Sequence, residues 1–269
     1  MTNWITAARR LLICLAVLCA YGQAQTAGEW IQQGRAFLAH NRFHEAAHSF
    51  QKAIDANPSS AEAHEGLGAA LARQLVAGTV RPSNDMATVE RAESNLKQAS
   101  DLSPSSPGPL VELSRFEAAL ADRTPDPAER AERYQKAQDL LQRVTDLQPG
   151  NAETYLQLAN LERDQFAPAI QQAKAQAGKS GPIPDPNVRQ GLQKQYGALI
   201  RQAIDNAKRA SELNGKSARP LLLLSRIFEE RALIRDTQEQ YAADMQSAQQ
   251  WKLQFLAVGG HTGDETDNQ

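Results

Sequence analysis

Residues 27–60 read AGEWIQQGRAFLAHNRFHEAAHSFQKAIDANPSS, and inside them Phe43, Ala46, Phe50 and Ala53 stand at steps of 3, 4 and 3 ahead of Pro58. Those steps put the four side chains on one stripe of an α-helix, and the proline ends the helix a fixed distance past it. The spacing recurs as Val89-Ala92-Leu96-Ala99-Pro104, Tyr134-Ala137-Leu141-Val144-Pro149 and Ile200-Ala203-Ala207-Ala210-Gly215. A second register starts from each breaker, with a large side chain at +6 and +9 and a small one at +10. It reads His64, Leu67, Gly68; then Leu110, Leu113, Ser114; then Tyr155, Leu158, Ala159; then Leu221, Leu224, Ser225. The small residue lets a neighbouring helix come close, and the large ones fill the seam beside it. Each unit is therefore a helical hairpin. The predicted fold is an all-α array of about five of them, over residues 27–60, 61–106, 107–151, 152–217 and 218–258.

From Ala27 to Ser60 the chain resembles the tetratricopeptide repeat family, whose period is 34 residues and whose places are held by Trp30, Gly34, Phe37, Ala46, Phe50, Ala53 and Pro58. Later units keep the second-helix pattern but lengthen the period, with Pro58 to Pro104 spanning 46 residues, Pro104 to Pro149 45, and Pro149 to Gly215 66. The resemblance implies a right-handed α-solenoid acting as a non-catalytic scaffold without a cofactor, with a concave face that binds a peptide or protein partner. A solenoid grows by stacking, so residues 25–258 are expected to form one repeat domain.

At the N-terminus Arg9 and Arg10 precede the apolar run Leu11 to Ala20, and Gly22-Gln23-Ala24 suits a signal peptidase. That run is the length of a signal core and too short to span a bilayer, so residues 1–24 are predicted to be a signal peptide. The protein is expected to be exported, periplasmic or secreted, with no membrane span after signal removal. Both cysteines, Cys14 and Cys19, fall inside the signal, which leaves a thiol-free mature chain suited to an oxidising compartment. Without Arg9 and Arg10 there are 27 basic against 31 acidic side chains, and no basic tract argues for nucleic acid.

Helix punctuation is clear. Ser59 with Glu62 fits a capping box, Asp126-Pro127-Ala128-Glu129 and Asp185-Pro186 each supply a cap and a first-turn proline, and Thr237 with Gln240 opens the last helix. Residues 77–85, with Gly78, Pro82 and Asn84, read as a loop. In the fourth unit the first helix runs to about Ala177 and the second starts near Pro186, predicting a long hairpin that projects beyond its neighbours. The last helix, Thr237 to Val258, carries Tyr241, Met245, Ala248, Trp251, Phe255 and Leu256 and is expected to cap the stack. Residues 259–269 read as a disordered tail.

His44-Glu45-Ala46-Ala47-His48 matches H-E-x-x-H, in which two histidines four apart on a helix bind zinc and the glutamate acts as general base. Ala46 belongs to the packing stripe, however, so His44 and His48 point outward, where a helical hairpin offers no cleft and no third ligand. A metal-dependent hydrolase is thus the rival reading, and a surface metal site at His44 and His48 its weaker form. A second rival is a structural component that self-assembles through the long fourth hairpin.

The partner-binding surface is expected on the first helices of the units, where equivalent positions form ladders. Seven residues past the breaker stand Glu65, Val111, Leu156 and Leu222, joined by Ile31; eleven past stand Ala69, Arg115, Asn160 and Arg226, joined by Arg35. Apolar rungs beside Arg and Asn rungs suit an extended peptide, whose side chains bury on the first ladder while arginine pairs with carboxylates or carbonyls on the second.

Overall fold

A computed structural model describes residues 25–78, 85–178 and 180–260. The leader, Pro82 and Asn84, and residues 261–269 of the tail lie outside the described residues. The fold is all-α. Ten helices are described: α1 (Ala27–Ala39), α2 (Phe43–Ala56), α3 (Ala61–Val76), α4 (Asp85–Leu102), α5 (Gly108–Arg123), α6 (Pro127–Leu147), α7 (Ala152–Ala177), α8 (Pro186–Leu213), α9 (Arg219–Leu233) and α10 (Gln238–Ala257). They pair in sequence as five hairpins, and the helices gather into two compact units divided between Pro104 and Ser105.

Caps start most helices where the punctuation puts them. The Asp126 carboxylate accepts from the Glu129 N–H at 2.8 Å, Asp185 from Asn187 at 2.8 Å, and Thr237 from Gln240 at 3.2 Å. One expected cap is shifted by a residue: Ser60, not Ser59, caps α3 by accepting from Ala63 N–H, and Glu62 reaches across to Arg35. A full capping box sits instead at Thr26 and Glu29.

In the first unit the stripe of α2 is sealed. Phe50 is 1 % exposed, and its ring lies against Gly34 of α1 and Gly66 of α3. A Cβ at Gly66 would stand 2.2 Å from that ring, and one at Gly34 2.8 Å away, so neither position has room for a side chain while Phe50 keeps its place. On α3 the packing continues through Leu67, Gly68, Ala69, Ala70, Leu71 and Leu75, all buried. Gly68 does for Leu96 of α4 what Gly66 does for Phe50.

The second unit has a larger core, in which Phe166 and Ile170 of α7 meet Ile200, Ala203 and Ala207 of α8 and Leu224, Ile227 and Phe228 of α9. The long fourth hairpin does not project freely. Gly178 takes the left-handed conformation that ends α7, at φ 61°, and the chain then returns to bury Ile183 in this same core. The Ile183 N–H donates to the Leu233 carbonyl at 2.8 Å, and Gln193 of α8 donates to the Ile234 carbonyl, so the hairpin's far end is tied to the end of α9. The spacing along the chain predicts a projection because it cannot show that Ile183 and Ile234 meet.

Two buried carboxylates hold ion pairs among the last helices. Glu230 of α9 accepts from Arg163 of α7 at 2.5 and 3.0 Å, and Asp244 of α10 holds Arg231 and Arg235. Burial pushes the Glu230 carboxyl up, and Arg163 opposes that shift. On α10, Ala248 and Phe255 pack inward, whereas Leu256, expected on the packed stripe, is 44 % exposed beside exposed Leu253. Leu253 and Leu256 turn outward together because they are three residues apart on one helix.

Candidate functional site

Polar stripes on three helices of the second unit converge. On α6, Gln135, Gln138, Asp139 and Gln142 follow the spacing i, i+3, i+4, i+7, which places them on one face, adjacent to the buried stripe of Tyr134, Ala137 and Leu141. On α8, Gln195, Leu199, Gln202 and Asn206 stand at i, i+4, i+7 and i+11, again on one face, and Leu158, Glu162 and Gln165 of α7 also line the space. Together with Tyr196 and Asp205 they enclose a cleft of about 640 Å³. No lysine, arginine or histidine is among its lining residues.

Glu162 stands at the centre and is only 3 % exposed. Its carboxylate accepts from the Asn206 amide of α8 at 2.9 and 3.0 Å and from the Gln138 amide of α6 at 3.3 Å, so one side chain links three helices. Burial pushes its carboxyl up to about 7; the two amide donors act against that shift, and Asp205 adds to it. Neutral amides solvate an anion less well than a cation would, which is why the acid keeps its proton so far above the ordinary range. Around it the glutamines are held in place: Gln135 donates to Asp139 at 2.9 Å, Gln142 to the Thr145 hydroxyl at 2.7 Å, Gln165 to the Leu161 carbonyl at 3.0 Å and Gln195 to the Tyr196 hydroxyl at 3.0 Å.

The residues expected to form the partner-binding ladders have divided fates. Ile31, Leu156 and Leu222 are buried, Leu156 in the core with Ile200 and Leu224, and Leu222 against Phe255. Val111 is half-buried against the cluster of Tyr134, Leu141 and Leu158. The polar rungs stay nearer solvent. Arg35 pairs with Glu62 at 2.6 Å and Arg115 with Glu112 at 3.1 Å, the two arginines largely exposed. Asn160 is half-buried and donates to the Leu156 carbonyl at 3.0 Å, and Arg226 is half-buried on α9. Ile31, Arg35, Glu65 and Ala69 belong to the first unit, the other six to the second.

His44 and His48 are exposed on α2, and Glu45 between them is engaged by Arg42 at 2.9 and 3.0 Å. Backbone hydrogen bonding, then Arg42, lowers the Glu45 carboxyl, the opposite of the shift that prepares a general base. His64 is occupied by the Asn95 side chain and the Pro58 carbonyl, both at 2.9 Å. Among the described residues no three His, Cys, Asp or Glu side chains gather closely enough to hold a metal.

Residues 31–79 match the sequence profile of the tetratricopeptide repeat. That stretch, from α1 through α3, is similar to the tetratricopeptide repeat family. Its fold resembles that of the MamA protein, at 14 % identity over 87 % of this chain and 96 % of that one, with a TM-score of 0.51. It likewise resembles TTC0263, a thermophilic tetratricopeptide protein of Thermus thermophilus, at 17 % identity over 86 % of this chain and 98 % of that one, with a TM-score of 0.50. At such identities the likeness is one of fold. No curated protein matches the sequence. The glutamine-lined cleft stands at positions that the repeat spacing leaves unspecified.

Proposed function

We propose that this tetratricopeptide protein is a non-catalytic interaction scaffold, exported to the cell envelope or beyond, that holds a segment of a protein partner. The observation that carries the reading is the cleft of about 640 Å³ between α6, α7 and α8, whose walls are rich in amide side chains. Its size falls among ligand sites of roughly 300–1,000 Å³ and suits a short extended segment rather than a folded surface. Each glutamine offers one acceptor and two donors, the complement of a peptide main chain. Export rests on the Arg9-Arg10 and Leu11 to Ala20 pattern together with a thiol-free mature sequence.

A second surface is supported by the polar rungs that remain near solvent on first helices of the second unit: Arg115 on α5, Asn160 on α7 and Arg226 on α9. With Leu156 and Leu222 committed to the core, a peptide on these helices would be recognised through its carboxylates and carbonyls rather than through apolar side chains.

Cross-linking in native cells, with partners identified by mass spectrometry, tests both. The wild-type chain is compared with an Arg115→Glu, Arg226→Glu variant and with a Gln138→Ala, Gln202→Ala variant, each shown folded by circular dichroism. A partner captured by the wild type and lost from the glutamine variant is the expected result. Loss from the arginine variant alone assigns the first helices instead, and a wild-type chain that captures no partner overturns the scaffold reading.

A further inference from the structure

We propose that the cleft between α6, α7 and α8 selects a partner segment bearing a lysine or arginine side chain, which reaches Glu162 at its floor. This rests on the scaffold reading and supplies the partner's chemistry. Three observations carry it. The lining holds three carboxylates, Glu162, Asp139 and Asp205, and no cationic side chain, so the cleft carries charge of one sign only. Glu162 is hydrogen-bonded to neutral amides, so once ionised its charge has no cationic partner among the lining residues. It is also only 3 % exposed, so a main chain stays at the mouth among the glutamines and a long, thin side chain makes the reach.

The lining fits such a side chain along its length. Leu158, Leu199 and the Tyr196 ring offer hydrocarbon to a methylene stem, and the carboxylates meet the charged head. A charge-assisted bond to a carboxylate is roughly twice as strong as its neutral counterpart, so the head contributes most of the selectivity. A metal cation is a poorer candidate, since the described residues contain no group of three His, Cys, Asp or Glu arranged to coordinate one. An acidic segment would face three like charges.

Protonation follows from the same geometry. Asp205 of α8 acts on Glu162, Asp139 of α6 lines the same cleft, and Arg163 of Glu162's own helix pairs with Glu230 of α9. A bound cation favours the ionised form of Glu162, whose carboxyl otherwise holds its proton up to about 7. Affinity therefore falls on acidification below neutrality.

Fluorescence anisotropy on the full chain tests the proposal with end-blocked, fluorescein-labelled pentapeptides of sequence Ala-Ala-X-Ala-Ala, where X is Lys, norleucine or Glu. The lysine peptide is expected to bind at pH 8, the norleucine peptide at least about tenfold more weakly, and the glutamate peptide not measurably. Glu162→Gln should weaken the lysine peptide by about tenfold or more and remove the loss of affinity between pH 8 and pH 5.5. Asp139→Asn and Asp205→Asn change exposed side chains that bear no part of the core, so weaker binding in those variants is not a folding defect. Equal binding of the lysine and norleucine peptides, no binding of the lysine peptide at millimolar concentration, or unchanged affinity in all three variants overturns the inference. If it fails while the wild-type chain still captures a partner by cross-linking, the scaffold reading stands and only the cationic chemistry is lost.

Discussion

The first unit closes the seam between its two hairpins with hydrocarbon, whereas the second places a carboxylate at the matching position between its first two. Thirteen residues past Pro58 stands Leu71, 4 % exposed; thirteen past Pro149 stands Glu162, 3 % exposed. The outer face of α2 carries His44, Ala47, His48 and Gln51, where α6 carries Gln135, Gln138, Asp139 and Gln142. Phe50 fills its seam by pressing on Gly66; the corresponding pair in the second unit is Leu141 and Gln157. The repeat spacing is satisfied equally in both. What differs is whether positions beside the stripe are used for close approach or for polar contact, and the second choice leaves an open cleft.

The largest test exchanges the two floors. Leu71→Glu puts an uncompensated charge into the closed seam and should cost about 4 kcal/mol in urea denaturation, whereas Glu162→Leu removes a buried acid and should leave stability unchanged or raise it by about 1 kcal/mol. Similar losses from both substitutions would show that the two seams do not differ in kind.

A smaller effect appears with pH. An unfolded glutamate loses its proton near 4.5 and Glu162 in the fold near 7, so the native state holds the extra proton between those values and stability declines as pH rises through that window. The expected decline is roughly 2–3 kcal/mol from this residue, and Glu162→Gln should flatten it. Glu230 shifts in the same direction in both proteins, so the difference between their pH profiles isolates Glu162. A wild-type profile parallel to that of the variant would contradict the raised carboxyl.

The smallest effect concerns the closed seam alone. Gly66→Ala places a methyl group 2.2 Å from the Phe50 ring and should cost about 2 kcal/mol, because a 1 % exposed ring in a filled seam has little room to turn. Gly191→Ala on α8, where a Cβ meets nothing within 4 Å, is the control and should be neutral or slightly stabilising. Equal behaviour of the two would mean the first seam is looser than its contacts imply.

Much of the fold is legible in the residues alone. Spacing picks out Ala46, Phe50, Ala92, Leu96, Tyr134, Ala137, Ile200 and Ala203, and all are buried. Capping chemistry picks out Asp126, Asp185 and Thr237, and all cap. The cleft is not legible, because glutamines at i, i+3 and i+7 look the same on a helix facing solvent as on one facing a neighbour. Leu156 and Leu222 sit on the right helices, but spacing alone cannot tell an open rung from one already covered by Ile200 or Phe255.

By itself, then, the sequence determined the helical hairpins, since periodicity and breakers act within a few residues and carry their own geometry. Only the tertiary structure decided that Ile183 folds back onto Leu233, that Leu156 and Leu222 belong to the core, and that Glu162 meets Gln138 and Asn206. Those outcomes depend on contacts between residues far apart in the chain, whose distances are set by how helices of unequal length pack rather than by the pattern along any one of them.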